Sequence, residues 1–351
     1  VGFGLVALSL QLPHFFACSI ALLAVIAFSG ATHDIATDGV YMTELSKSDQ
    51  AKYIGWQGAF YNIAKIVASG GLVYLAGWLV KRFGGVEGAS GEVVYEANVH
   101  AWMIVMFVMA IVMISLGLYH TRMLPSGGAA TSEATSFKET FDKLVEVILD
   151  FFKKKHIWYY IAFIILYRFA EGFVMKIVPL FLKAGREIGG LGLSEQEIGI
   201  YYGTYGAAAF VLGSLLAGYY ISHRGLKKTL FSLCCTFNLP FIAYTLLAIY
   251  QPTSGMLIGG AIVLEYFGYG FGFVGLTLFM MQQVAPGKHQ MAHYAFASGI
   301  MNLGVMLPGM VSGFVSDWLG YRDFFIFILF ATIPAFLITY FVPFTYPDTK
   351  K

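Results

Sequence analysis

The sequence predicts an all-α, polytopic membrane protein that consists of two helix bundles and the segment that joins them. Hydrophobic residues make up 58% of the 351 residues, charged residues make up 12%, and the mean hydropathy is +0.70. An average soluble domain carries about 25% charged residues. Apolar runs long enough to cross the roughly 30 Å hydrocarbon core of a bilayer recur along the chain. Lysine and arginine collect in alternate connecting segments, which is the pattern of cytoplasmic loops in membrane proteins.

The N-terminal part, residues 1–124, is predicted to be the first bundle. Its apolar run Val1–Leu10 would reach about 15 Å as a helix, which is about half of the hydrocarbon core. We therefore expect the chain to start inside a helix and the natural protein to have about two and a half further helices upstream. Complete spans of this bundle are predicted at Phe15–Tyr41, Tyr53–Val80 and Val99–Tyr119.

Residues 125–156 are predicted to be a cytoplasmic linker whose amphipathic helix lies on the membrane surface. The linker opens with the flexible stretch Ser126–Ala130, and Ser136 and Glu139 then have the spacing of a capping box. Apolar side chains recur on one face of the following helix, and the lysines beside them suit lipid headgroups. The apolar residues are Phe137, Phe141, Leu144, Ile148 and Phe151.

The C-terminal part, residues 157–351, contains six apolar runs and is predicted to be a six-helix bundle. The runs Tyr53–Val80 and Met291–Ser316 both end in small residues followed by a charged cap, which favours a repeated unit of about six helices. The six runs are Ile157–Leu182, Ser194–Ile221, Thr229–Tyr250, Met256–Gln283, Met291–Ser316 and Phe324–Phe344.

The basic residues predict the orientation of the chain. If the linker and the C-terminus are cytoplasmic, 14 of the 22 Lys and Arg residues lie in cytoplasmic segments. Five lie in segments on the opposite side, namely Lys81, Arg82, Lys183, Arg186 and Arg322. The remaining three, Lys65, Arg168 and Lys176, lie inside predicted spans and need a separate explanation.

Several protein classes are disfavoured by the sequence. It has no HExxH, GxSxG, Walker or paired CxxC motif, so we expect no enzymatic activity, no cofactor and no metal site. The cysteines Cys18, Cys234 and Cys235 lie in apolar runs and are interpreted as apolar packing residues. A net charge of +2 without a stripe of basic and aromatic residues argues against a nucleic-acid partner.

Four ionisable residues are predicted near the middle of the membrane: Lys65, Arg168, Glu171 and Glu265. Each such charge costs at least about 2.5–3.5 kcal/mol on insertion scales. They are interpreted either as structural ion pairs that stabilise helix packing, or as the lining of a solvated cavity that binds substrate or carries protons. The second interpretation favours a secondary transporter in which the glutamates carry protons and the cations bind an anionic substrate.

Other polar residues in the spans have less specific predictions. Asp34 and Asp38 share a helix face toward the cytoplasmic end of a span, either as interfacial ion-pair partners or as a gate that handles protons. His293 and Asn302 are expected to line the cavity or to form hydrogen bonds between helices. Lys176 is expected to snorkel to the far interface.

The stretch ATHDIATDG at Ala31–Gly39 resembles the AmpG muropeptide permeases, a branch of the major facilitator superfamily related to acetyl-coenzyme A transporters. Leu166–Glu171 is similar to the basic-then-acidic pattern of that family's seventh helix. Lys65 precedes the small residues Ala68–Gly71, and Glu265 precedes glycines, as in the same family. The resemblance implies the major facilitator fold of two six-helix bundles, of which this chain lacks the first two and part of the third helix.

The resemblance also implies proton-coupled import of peptidoglycan fragments, the anhydro-muropeptides, across the inner membrane of Gram-negative bacteria. The partners would be an anionic glycopeptide, the proton and the lipid bilayer, and a monomer is expected. Proton coupling is expected at Glu171, Glu265, Asp34 and Asp38. Substrate carboxylates suit Lys65 and Arg168, and sugar rings suit aromatic side chains. The expected binding residues besides the two cations are Trp56, Tyr61, Tyr167, Tyr202, Tyr205 and Asn302.

Two alternatives remain open. The first is a transporter of another anionic solute, such as a sugar, a nucleotide or a coenzyme A ester, and competition between solutes separates it from muropeptide transport. The second is a membrane sensor or scaffold on the same fold that transports nothing. Such a protein would bind its ligand without solute flux, and it would function without Glu171.

Overall fold

The computed structural model describes residues 1–86, 88–125 and 137–347, and all regular structure within these ranges is helical. The chain divides into two compact units. One contains Val1–Val40 and the described part of Ile63–Glu133, and the other contains Tyr41–Asn62 and the described part of Ala134–Lys351. The opening of the predicted linker, with Ser126–Ala130 and Ser136, lies outside the described residues.

The helices of the first third of the chain correspond to the predicted spans of the N-terminal bundle. They are α1 (Gly2–Ser9), α2 (Phe15–Glu44), α3 (Lys47–Ile66), α4 (Val73–Arg82) and α5 (Gly91–Met123). A π-helical stretch, Val67–Leu72, connects α3 to α4. Helices α1 and α4 pack against α5, and the small buried core of this unit comprises Ala76, Leu79, Ala101 and Val105.

The second unit contains the N-terminal part of α3 and the remaining helices. Helices α10, α11 and α13 pack together, and the last helix packs against α7 and α8. Its helices are α6 (Phe137–Phe152), α7 (Ile157–Tyr167), α8 (Phe169–Lys183), α9 (Glu195–Ile198), α10 (Gly206–Arg224), α11 (Leu226–Asn238), α12 (Phe241–Tyr250), α13 (Gly255–Phe279) and α14 (Gln290–Tyr340). π-Helical stretches at Gly199–Tyr205 and Met280–Val284 precede α10 and follow α13.

Six helical stretches in the described part of the chain are long and apolar enough to cross a membrane. They are Phe15–Glu44, Gly91–Met123, Gly199–Arg224, Leu226–Tyr250, Gly255–Val284 and Gln290–Tyr340. They overlap seven of the nine predicted complete spans, because Gln290–Tyr340 covers two of them. The predicted spans Tyr53–Val80 and Ile157–Leu182 are not among the six. The predicted polytopic, all-α class is therefore confirmed.

Helix continuity differs from the prediction at three places, and the first is the turn at Leu239 and Pro240, which separates α11 from α12 inside the predicted span Thr229–Tyr250. The predicted span Ile157–Leu182 is interrupted at Arg168, whose φ of −108° and ψ of 6° leave the helical region, so α7 and α8 are separate. Helix α14 covers two predicted spans, which are separated by Gly320 with φ 74° and ψ 163°. This positive φ is readily adopted only by glycine, so the chain turns there without a longer loop.

Helices α10 and α13 approach each other closely at glycines. A Cβ atom at Gly213 would overlap the carbonyl oxygen of Phe267, and one at Gly270 would overlap the carbonyl oxygen of Phe210. Small residues at helix contacts in membranes permit this backbone approach. The glycines that follow Glu265 on α13 are thus a site where a neighbouring helix packs closely.

The amphipathic linker helix α6 is present as predicted. Phe151 is 1% exposed and packs against the rings of His293 and Phe296, with centroids 5.6 Å apart in both cases. Phe141 and Leu144 are 55% and 50% exposed. The helix is therefore held at its C-terminal end, and its exposed apolar side chains suit a lipid surface.

Lys154 joins the linker to the end of the Gly255–Val284 span. Its Nζ donates hydrogen bonds to the carbonyl oxygens of Val284 (2.7 Å), Ala285 (2.9 Å) and Pro286 (2.8 Å). A lysine in this position satisfies carbonyls that a helix end leaves unpaired. Partial burial lowers the pKa of the Lys154 ammonium group to about 8.

The substitution Lys154→Met is expected to lower the free energy of unfolding by about 1–2 kcal/mol at pH 10, because it removes the two hydrogen bonds that the neutral Lys154 amine can still donate. The loss should be smaller at pH 7. The unfolded chain keeps the Lys154 proton up to about pH 10.5, whereas the folded protein releases it near pH 8. Wild-type stability should therefore rise relative to the variant between these pH values. Thermal unfolding in detergent measures the difference.

The matched control is Lys155→Met, which removes a lysine from the exposed neighbouring position. This control should leave stability unchanged at both pH values. A stability difference between wild type and Lys154→Met that does not depend on pH would contradict the expected release of the Lys154 proton.

Candidate functional site

An ion pair of Arg168 and Glu171 lies inside the apolar helices of the second unit. Nε of Arg168 donates to Oε2 of Glu171 at 2.6 Å, and Nη2 donates to Oε1 at 2.7 Å. The two side chains are 7% and 3% exposed. A bidentate pair of this kind satisfies both carboxylate oxygens, which offsets part of the cost of removing two charges from water. The spacing of three residues thus brings the predicted basic and acidic residues into direct contact.

Tyr167 and Arg168 attach the break between α7 and α8 to α13. The hydroxyl of Tyr167 donates a hydrogen bond to the carbonyl oxygen of Gly272 at 2.9 Å. The guanidinium carbon of Arg168 lies 5.2 Å from the centre of the Phe273 ring. Tyr167 is 0% exposed, so its ring is not available in this structure for the sugar stacking expected from the sequence. Its contacts instead hold two helices together.

Glu265 on α13 is the second buried carboxylate of this unit and is 8% exposed. It accepts a hydrogen bond at Oε2 from the hydroxyl of Tyr244 at 3.1 Å. Tyr244 is fully buried against the ring of Phe325. Among the described residues, no lysine, arginine or histidine forms an ion pair with Glu265. Glu265 therefore has a neutral partner, in contrast to Glu171.

Further tyrosines surround the two carboxylates. Tyr202, in the π-helical stretch before α10, meets Tyr266 edge to face with ring centroids 5.0 Å apart. Tyr202 interacts electrostatically with Glu265, and Tyr269 does so with Glu265 and with both members of the ion pair. We call the whole group the buried polar cluster, and it comprises Arg168, Glu171, Tyr202, Tyr244, Glu265, Tyr266 and Tyr269.

The remaining candidates on the second unit are more exposed. Tyr61 is 71% exposed and interacts electrostatically with Tyr269, so it lies at the edge of the buried polar cluster. Trp56 is 43% exposed, Tyr205 is 51% exposed, and Asn302 on α14 is also exposed. Besides Tyr167, which interacts electrostatically with Glu171, the predicted aromatic residues with a link to the cluster are Tyr61 and Tyr202.

Three candidates belong to the first unit. Asp34 is exposed and Asp38 is half-buried near the C-terminal end of α2. His33, beside Asp34, stacks on His120 with ring centroids 6.1 Å apart. Lys65 lies on α3, but its side chain lies outside the described residues. The roles of Asp34, Asp38 and Lys65 stay predictions.

His293 makes a contact between helices, which is the second of the two roles expected for it. It is 2% exposed, it packs against Phe151, and its Nε2 lies 3.1 Å from the carbonyl oxygen of Val147. Its position at the start of α14 faces the linker helix, so it stabilises that junction. Lys176 is exposed on α8, as a snorkelling lysine would be.

Three tyrosines of the buried polar cluster were missed from the sequence: Tyr244, Tyr266 and Tyr269. Two of them could have been found from the sequence. Tyr266 directly follows Glu265, and Tyr269 lies four residues after Glu265, on the same helix face as Glu265. No sequence signal indicated Tyr244, because it reaches Glu265 from a different helix.

The arrangement can hold a proton or an anion within an apolar helix bundle. It offers a carboxylate with a neutral partner, an arginine with a carboxylate partner, and phenol groups that both donate and accept hydrogen bonds. Ionisable residues in the interior of membrane helices mark solute paths and proton relays. The apolar spans define a polytopic, helical membrane protein, and the buried polar cluster places ionisable groups in its interior.

The chain belongs to the Major Facilitator Superfamily, whose family model matches residues 1–287 and 169–351. It is similar to the "Anhydromuropeptide permease" of Escherichia coli strain K12, with 23% identity over 319 residues that cover 91% of this chain and 58% of the relative. It is also similar to "Putative transporter AmpG 2" of Rickettsia typhi, with 24% identity over 217 residues, 58% of this chain and 48% of that protein. The chain thus spans about half the length of the curated relatives it matches.

The fold is similar to that of a solved transporter. The crystal structure of the Escherichia coli fucose:proton symporter FucP matches with a TM-score of 0.64 at 15% identity, covering 97% of this chain and 81% of that one. The predicted major facilitator fold is therefore confirmed.

Proposed function

We propose that this chain forms part of a proton-coupled transporter that imports anhydro-muropeptides across the bacterial inner membrane by alternating access. The observation that carries the proposal is the buried polar cluster, in which Glu265 and the Arg168–Glu171 pair lie inside apolar helices. The name of the Escherichia coli relative supports the substrate class. Residues 1–124 and 157–351 are proposed as the two bundles, with the linker 125–156 and the C-terminus in the cytoplasm.

Glu265 is the proposed proton carrier. Its hydrogen-bond donor is the neutral Tyr244 hydroxyl at 3.1 Å, so taking up a proton breaks no ion pair. Protonation of Glu171 would instead leave the buried charge of Arg168 without its partner. Of the two carboxylates, Glu265 therefore changes its charge at the smaller cost to the rest of the cluster.

The Arg168–Glu171 pair is the proposed docking point for a substrate carboxylate. A guanidinium group binds carboxylates in bidentate geometry, and Glu171 now occupies that position on Arg168. An incoming carboxylate competes with Glu171, and protonation of Glu171 would release Arg168 to the substrate. In this scheme Glu171 couples substrate binding to a second proton, Lys65 supplies a second cation, and Asp34 and Asp38 act near the cytoplasmic gate.

The aromatic side chains complete the proposed binding site for sugar rings. Tyr61 and Tyr202 are the favoured stacking residues, because both interact with members of the buried polar cluster. Trp56, Tyr205 and Asn302 are exposed on the same unit and are proposed as further contacts. Flat sugar faces bind well to aromatic rings whose polar edges also form hydrogen bonds.

Uptake of labelled anhydro-muropeptide into proteoliposomes tests the proposal. Uptake should increase when the outside is more acidic than the inside. We expect Glu265→Gln to reduce accumulation driven by the gradient at least tenfold while exchange of internal and external substrate continues. Glu146→Gln, which alters an exposed linker residue, is the control and should transport like wild type. Normal accumulation by Glu265→Gln would contradict its role as proton carrier.

The same assay separates the alternatives. Stronger competition by a nucleotide or a coenzyme A ester than by unlabelled muropeptide would indicate another anionic solute. Binding of muropeptide without any flux, in a protein that still functions after Glu171→Gln, would indicate a sensor built on a transporter fold.

A further inference from the structure

A second polar site lies at the cytoplasmic end of the second unit, on the side predicted from the distribution of basic residues. It is a cavity of about 1090 Å³ between the first turn of α3, the last turn of α10 and the first turn of α11. No member of the buried polar cluster lines it. Its lining residues are therefore distinct from those of the proposed transport site.

The lining of this cavity is strongly basic. It has five cationic side chains, and its only carboxylate among the described residues is that of Asp49. The carboxylate of Asp49 accepts a hydrogen bond at Oδ2 from the hydroxyl of Ser46, 2.7 Å away. The cationic residues are Lys47, Lys52, Arg224, Lys227 and Lys228.

Two of these cations, Lys52 and Arg224, contact aromatic rings that carry no negative charge. Nζ of Lys52 lies 5.0 Å from the centre of the Tyr53 ring, and the guanidinium carbon of Arg224 lies 5.4 Å from that of Tyr220. Within the described part of the chain, neither Lys52 nor Arg224 forms an ion pair with a carboxylate. Like charges gathered in one concave site repel each other, and a bound anion relieves that repulsion.

Two helix N-terminal ends add to the positive electrostatic potential of the cavity. Lys47 and Asp49 belong to the first turn of the 20-residue helix α3, and Lys227 and Lys228 belong to the first turn of the 13-residue helix α11. Both N-terminal ends border the cavity. Backbone N–H groups and the helix dipole at such ends favour anions, phosphate above all.

We propose that this cavity binds the phosphate group of an anionic ligand. Arginine and lysine around a concave site are typical of phosphate recognition. The volume of about 1090 Å³ admits a glycerophosphate headgroup as well as a free phosphate. The cavity also lies where the Gly199–Arg224 span ends, which is the level of phospholipid headgroups. A bound phosphate would hold the α3 and α10–α11 segments together.

Binding measurements on the purified protein in an uncharged detergent test this site. The ligands are dioctanoyl phosphatidylglycerol, the zwitterionic dioctanoyl phosphatidylcholine, and inorganic phosphate. Phosphatidylglycerol is expected to bind at least tenfold more tightly than phosphatidylcholine. The double variant Lys52→Gln/Arg224→Gln should weaken phosphatidylglycerol binding at least tenfold, and Lys52→Arg/Arg224→Lys should restore most of it because the charges return.

The matched control is Lys153→Gln/Lys155→Gln, which removes two exposed positive charges from the linker. The linker is predicted to lie on the cytoplasmic side, like the cavity. This control variant should bind phosphatidylglycerol like wild type. If phosphatidylglycerol binds and the Lys52→Gln/Arg224→Gln variant loses that binding, the ligand is a lipid headgroup. If only inorganic phosphate binds in this way, the ligand is a soluble phosphate compound. Equal loss in both double variants, or no binding of either phosphate compound, would overturn the proposal.

Discussion

Replacing Glu171 with glutamine is expected to lower the stability of this protein by about 3–5 kcal/mol and to abolish substrate uptake. The substitution removes the anion but leaves Arg168, whose side chain is 7% exposed, in the apolar interior. Loss of one partner from a buried ion pair leaves an uncompensated charge, and this accounts for the large cost. The measurements are unfolding of the purified protein in detergent and uptake into proteoliposomes.

A double variant separates stability from transport. Replacing both partners of a buried ion pair by apolar residues is often neutral, or stabilising by about 1–4 kcal/mol. Arg168→Met/Glu171→Leu should therefore unfold close to wild type while taking up no substrate. Normal transport by this double variant would contradict the docking role and would support the interpretation of the pair as a packing device.

The pair of Lys288 and Glu146 provides the matched control for the Glu171 substitution. Its atoms are also 2.7 Å apart, but the side chains are 72% and 48% exposed. Solvent screens exposed pairs, so Glu146→Gln should leave the unfolding temperature nearly unchanged. A comparable loss at both positions would show that burial is not the cause of the Glu171 effect.

The substitution Gly270→Ala is expected to destabilise the protein by about 1–3 kcal/mol, because it overpacks the contact of α10 with α13. The new Cβ atom would overlap the carbonyl oxygen of Phe210. That oxygen belongs to the backbone of α10, so the two helices have to separate. The expected consequences are a lower unfolding temperature and reduced uptake, since α13 also carries Glu265.

Gly260→Ala is the control on the same helix. A Cβ atom at Gly260 has no heavy atom within 4 Å. Alanine is favoured over glycine inside a helix by about 1 kcal/mol, so this substitution should be neutral or stabilising. The two glycine substitutions should thus differ in sign when unfolding temperatures are compared. Equal effects would mean that the close approach of the helices does not determine stability there.

The position of each span was predictable because the cost of burying polar groups in lipid acts on every residue of a span. The stretches Gly91–Met123 and Gly255–Val284 therefore appear in the structure close to their predicted positions. The interruption at Arg168 was not predictable in this way. The segments on both sides of Arg168 are apolar, so hydropathy predicts one continuous span. The break lies where Tyr167 and Arg168 contact α13, about 100 residues away in the sequence.

Part of the candidate site followed from residue spacing. Arg168 and Glu171 are three residues apart, which predicts contact on one side of the chain, and they form a bidentate pair. The partner of Glu265 lies 21 residues earlier in the sequence, on another helix. Nothing in the spacing of Tyr244 and Glu265 indicates that contact, because it depends on how α12 and α13 pack.

The sequence by itself therefore determined the class, the spans, the amphipathic linker helix and the presence of costly ionisable residues in apolar helices. These features depend on composition and on periodicity along one helix. The tertiary structure decided that Arg168 is paired with Glu171, that Glu265 has a phenol as its partner, and that Tyr167 is buried with its hydroxyl bonded to Gly272. It also brought the basic ends of α3, α10 and α11 around one cavity. These assignments depend on which helices lie side by side, because burial and pairing are set by neighbours distant in the chain.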